Sequence, residues 1–166
     1  MIPIYYINLD RSTDRNTYLN KQLTSFPTKR IQAIDYRDHP EKIPTLYTDS
    51  KHTELKYLAC LASHLKAIQT AYQDNLQEVL ISEDDIDFTI FKKTYPQIAN
   101  LWKDHRDELE LLQLHSSSKD SIDKLYRPLL DTRKIKLIQK NIHNMTYWGA
   151  TLYLINRKGM KKVMDL

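Results

Sequence analysis

The stretch EVLISEDDI, residues 78–86, decides the architecture. Val79 to Ser82 run on without the polar alternation of a half-exposed strand, so they predict a strand covered on both faces. The run ends directly in Glu83, Asp84 and Asp85, and residues 88–105 then read as a helix. A covered strand followed by a helix is the repeating unit of an α/β sheet. Ligands of such sheets bind beyond the carboxyl ends of strands, which is where the three acids stand.

Working outward, residues 2–8 alternate and are rich in Ile and Tyr, predicting a first strand. The polar run from Asp10 to Asp14 supplies capping chemistry for a helix over about 14–23. A short strand is expected at 30–35, then a loop with Pro40 and Pro44. Thr53 can cap a long helix to about residue 75, with Leu61, Leu65, Ile68 and Tyr72 forming its apolar stripe. Pro96 is expected to interrupt the helix at 88–105. Strands are expected at 109–114, 134–139 and 147–155, and Asn156 can cap a final helix. The predicted fold is α/β, a mixed and mainly parallel sheet flanked by helices in one domain spanning 1–166.

Composition agrees with a globular chain: 41% hydrophobic and 28% charged residues. Eleven tyrosines against three phenylalanines suggest half-buried positions with hydroxyls to satisfy. The lone Cys60 excludes an internal disulfide and, on this reading, any cysteine-based zinc site, and the six histidines show no paired metal spacing. The N-terminus has no basic region before its short apolar run, so the expected compartment is the cytoplasm, at most the inner face of a membrane. The net charge of +4 is local, because residues 119–140 hold seven Lys/Arg and three Asp/Glu while the remainder is balanced. That segment reads either as a site for an anionic partner or as a solvated loop. With Tyr126 as its one aromatic it lacks stacking platforms, so nucleic acid is not an expected partner.

The only glycines, Gly149 and Gly159, exclude a P-loop and a dinucleotide-binding glycine fingerprint. A nucleotide phosphate would therefore be held by side chains and a metal. Along an extended segment Glu83 and Asp85 share a face while Asp84 points away. The pair suits manganese or magnesium; the alternative is a solvated strand end that caps a helix. Asn8, Arg11 and Arg15 follow the first strand and read either as diphosphate and ribose contacts or as a helix start with surface arginines. Ser63 and His64, adjacent on a helix, diverge too far for a hydrolytic pair.

IYYINLDRSTDR at 4–15, CLASH at 60–64, VLISEDDI at 79–86 and WGATLYLI at 148–155 followed by Gly159 together resemble glycosyltransferase family 25. Two departures are Ala59, where the family has glycine before the cysteine, and Ala150 between Gly149 and Thr151. Family members continue past the position of Leu166, so the resemblance implies a chain short at its C-terminus. It also implies a GT-A fold and a metal-dependent, inverting transfer of a hexose, commonly galactose. The donor would be a UDP-sugar, and the acceptor a hydroxyl of a glycan, lipooligosaccharide or hydroxylysine-type protein. Asn8, Arg11, Arg15, Ser63, His64 and Glu83 would bind the donor. Glu83 and Asp85 would hold Mn2+ or Mg2+, and Asp84 is a candidate base. A binding remnant of the same fold that transfers nothing is the alternative implied by the short chain.

Overall fold

The computed structural model describes residues 1–43, 54–115 and 151–165. The strand expected at 134–139, the first part of that expected at 147–155, the basic segment, Pro44, the Thr53 cap and the Gly149–Ala150 departure lie outside the described residues.

Among the described residues, five strands form one sheet: β1 (Ile4–Asn8), β2 (Thr28–Gln32), β3 (Glu78–Glu83), β4 (Leu111–Gln113) and β5 (Leu152–Asn156). Their spatial order is β2-β1-β3-β5-β4, with β1 parallel to β2 and β3, and β5 antiparallel to both β3 and β4. The sheet is therefore mixed, and only β5 runs against the other four. The helices are α1 (Thr13–Gln22), α2 (Leu55–Gln73), α3 (Phe88–His105) and α4 (Arg157–Met164).

Strand alternation sorts the core into two layers. On one face Ile4, Tyr6, Leu80 and Leu154 pack with Leu19 of α1 and Phe88, Phe91 and Trp102 of α3. On the other, Tyr5, Ile7, Ile31, Val79, Ile81, Tyr153 and Ile155 pack with Ala67, Ile68 and Ala71 of α2 and Met160 of α4. All five residues of β1 are buried, as a strand between two neighbours and two helical layers requires. The tyrosines divide: Tyr6 is buried while its hydroxyl donates to Asn16 Oδ1 at 2.8 Å, whereas Tyr18 and Tyr57 are exposed.

Two expectations fail for identifiable reasons. Of the stripe Leu61, Leu65, Ile68 and Tyr72, only Ile68 is buried, and Leu61 is exposed. The buried face of α2 is instead largely small: Ala59, Ala62, Ser63, Ala67 and Ala71. Short side chains let a helix lie close to a sheet, so the contact is made by the residues that a stripe of large apolar groups passes over. Pro96 does not interrupt α3. A proline inside a helix removes one backbone donor, and here the buried Phe88, Phe91, Ile98 and Trp102 hold the helix on both sides of it.

Asn156 ends β5 and caps α4, its Oδ1 accepting from Gly159 N–H at 2.8 Å. A Cβ on Gly159 would stand 2.6 Å from the carbonyl oxygen of Glu110 and 3.0 Å from Ile155 Cγ1. Because the nearer atom is backbone, Gly159→Ala is expected to destabilise the fold by roughly 1–3 kcal/mol. A chemical denaturation midpoint equal to that of the parent would contradict this. Among the described residues no helix is long and apolar enough to cross a membrane.

Candidate active site

A cavity opens at the carboxyl ends of β1, β2 and β3. Leu9, Arg11 and Arg15 line it after β1, Ala33 to Tyr36 after β2, and Glu83 and Asp84 at the end of β3. Lys56, Ala59, Cys60, Ser63 and His64 of α2 form the opposite wall. Parallel strands place these loops side by side, which is why residues so distant in sequence meet here.

The chain turns at Asp84 and Asp85, so strand alternation stops at Glu83. Asp84, expected to point away from Glu83, lines the same cavity and is the most tied of the three acids. Arg15 Nη1 donates to its Oδ1 and Asn8 Nδ2 to its Oδ2, both at 2.8 Å. Asp85, expected to share a face with Glu83, is exposed and lines not this cavity but a separate apolar hollow with Ile86, Phe91 and Leu152, because the turn carries it away from the strand end. Partial desolvation, then the charge of Glu83, pushes its carboxyl above the ordinary carboxylate range, with Arg15 offsetting part of this. None of the three acids is the cap of α3; Asp87 is, its Oδ1 accepting from Thr89 N–H at 2.8 Å.

Asn8 is 1% exposed and spends its whole amide inside the protein. Nδ2 also donates to the Ser12 carbonyl at 3.1 Å, while Oδ1 accepts from Arg30 Nε at 2.8 Å. Arg30 continues to Asp10 at 2.6 Å. Asn8 thus joins β1, β2, the acidic turn and the start of α1, and it does not line the cavity. Arg11 pairs with Asp35 and remains 45% exposed at the rim. Ser63 is buried; its hydroxyl donates to the Ala59 carbonyl at 2.7 Å and accepts from Ile34 N–H at 2.8 Å, pinning the loop after β2 to α2.

His64 reaches across from α2. Its Nδ1 lies 3.1 Å from the Tyr153 hydroxyl and its Nε2 lies 3.4 Å from Glu83 Oε1. Burial, then the nearby Cys60 and Glu83, raises the Tyr153 phenol above its usual range, so this partner stays a neutral hydroxyl. The Cys60 thiol is likewise pushed up to about 11, by burial first and then by Glu83 and Asp85. The corner is electronegative, with Arg15 offsetting part of its charge. A carboxyl such as Asp85, whose proton affinity is raised by desolvation and by neighbouring carboxylates, is chemistry compatible with a divalent cation bound by oxygen ligands.

Asp35, Tyr36 and Lys56 lie outside every quoted motif, and Tyr153, though within WGATLYLI, carried no assigned role. The first two follow directly from topology. Once β2 lies parallel beside β1, the loop after it belongs to the same rim as the loop after β1.

The sequence matches the family model described as glycosyltransferase family 25 (LPS biosynthesis protein) over residues 1–166. No curated protein matches it.

Proposed function

The chain belongs to glycosyltransferase family 25, and from that premise we propose that residues 1–166 form one GT-A-type domain that transfers a hexose, galactose first among candidates, from a UDP-sugar. The observation that carries the reading is the convergence of Arg11, Arg15, Glu83 and Asp84 on one cavity beyond the parallel strands. Two cations suit a diphosphate, and the neighbouring acids would hold a metal that adds positive charge beside it.

Glu83 and Asp85 are assigned to hold Mn2+ or Mg2+. When bound, that ion neutralises charge on the leaving diphosphate as its bond to the sugar breaks. The chain's own residues set the geometry around it. Asp84 has both oxygens in hydrogen bonds, so we assign it to position Arg15 and Asn8 rather than to take a proton. Asn8 acts through Asp84 and Arg30, holding the loop after β1 in register with the acidic turn. Ser63 fixes the loop that carries Asp35 and Tyr36, and His64 orients Glu83. Arg11, half exposed beside Asp35, offers its remaining N–H groups to the donor. An acceptor hydroxyl of a glycan, lipooligosaccharide or hydroxylysine-type protein would attack the anomeric carbon with inversion. Work at the cytoplasmic face of a membrane suits such acceptors.

Incubation with UDP-galactose, manganese and a glycan acceptor tests this. Manganese-dependent release of UDP with an inverted anomeric product is the expected result. UDP binding without release would make the chain a binding remnant, and neither binding nor release would end the donor assignment. Arg11→Ala is expected to weaken UDP binding roughly 10–100-fold, the loss of a charge-assisted hydrogen bond, with unchanged circular dichroism. Equal affinity would place Arg11 outside the donor site.

A further inference from the structure

We propose that Cys60, His64 and Glu83 form a second cation site, one that selects a borderline-soft ion such as zinc over hard oxygen-seeking ions. Cys60 and His64 stand one turn apart on α2 and so project from one face of it. Glu83 arrives from the end of β3 to meet them. One ligand atom from each, a sulfur, an imidazole nitrogen and a carboxylate oxygen, all lie within 4.8 Å of one another.

Tetrahedral zinc with such ligands needs donor atoms about 3.3–3.6 Å apart. The 3.4 Å between His64 Nε2 and Glu83 Oε1 already meets this, whereas it is long for an N–H···O hydrogen bond. Cys60 is exposed, so a rotamer change can bring its sulfur in without disturbing the core. The Tyr153 hydroxyl, 3.1 Å from Nδ1, supplies the outer partner that fixes the ring of a metal-bound histidine. A thiolate, an imidazole and one carboxylate are a zinc or cobalt donor set, unlike the carboxylate pair of Glu83 and Asp85. The sequence expectation that a lone Cys60 excludes a zinc site assumed several cysteine ligands; this mixed site uses one, with His64 and Glu83. Since Glu83 serves both ions, zinc would compete with the donor's cation; that competition, though not zinc binding itself, rests on the donor-cation reading.

Titration with Co2+, whose bond to a thiolate gives an intense near-ultraviolet charge-transfer band, tests the site directly. The band is expected to appear, to saturate at a single ion per chain and to vanish when Zn2+ is added. It should be lost in Cys60→Ser and His64→Ala and kept in Asp85→Asn. Tyr153→Phe should keep the band while weakening the apparent affinity about 10–100-fold. Absence of the band in the parent protein would overturn the proposal, and so would its survival in His64→Ala or its loss in Asp85→Asn. Manganese-dependent UDP binding by the parent protein is a separate measurement that none of these cobalt readouts decides, so failure here is distinct from failure of the transferase reading.

Discussion

Glu83→Gln is expected to lower manganese-supported transfer by more than the roughly 10–100-fold that loss of an outer partner costs a metal site, because under the proposed assignment it removes a ligand itself. The substitution keeps shape and hydrogen-bonding capacity but deletes the charge at the meeting point of β3, α2 and the acidic turn. Glu83 also stands opposite Ile7 in the β1–β3 ladder, and its backbone N–H donates to the Thr151 carbonyl at 2.8 Å. Neither interaction involves the side chain, so the melting temperature should stay close to that of the parent. Steady-state rates across a manganese titration, paired with a thermal melt, check both halves. Parental activity in a folded variant would remove Glu83 from the cation site.

Asn8→Ala should act in the opposite way, through the fold first. The side chain is buried and bonded to Asp84, Arg30 and the Ser12 carbonyl, two of which are charged partners left short when it is removed. Hydrogen bonds to charged groups contribute about 1.5–3 kcal/mol each when buried. Arg30 is 32% exposed and can recruit water, so the expected loss is roughly 2–4 kcal/mol. For a domain of this size that is a fall in Tm of about 5–15 °C. A melt within a degree or two of the parent, together with weakened UDP binding, would show instead that Asn8 contacts the donor.

Much of the fold was legible because hydrophobic run lengths and capping residues are local signals. The buried run of β3, the Asn156 cap and the alternation of β1 each lie within a few residues. The face of α2 was misread because size was taken as the mark of burial, whereas close packing on a sheet selects alanine. The site was legible in part: Arg11, Arg15, Ser63, His64 and Glu83 do line one cavity. Asp84 and Asp85 exchange the places expected of them, Asp84 lining the cavity and Asp85 a separate hollow, and Asn8 does not line the cavity. Alternation fails where a strand ends in a turn, and no local pattern reports that Asn8 is tied to residues 22 and 76 positions away. Asp35 and Tyr36 became visible only through the neighbour relation of β1 and β2.

The central claim is that the acids closing β3 meet a sugar donor through a divalent cation. Calorimetric titration of the protein with UDP, with and without manganese, tests it most directly. Binding that requires manganese in the parent and disappears in Asp85→Asn is the predicted result. UDP affinity that is the same with manganese, without it and in Asp85→Asn would contradict the account.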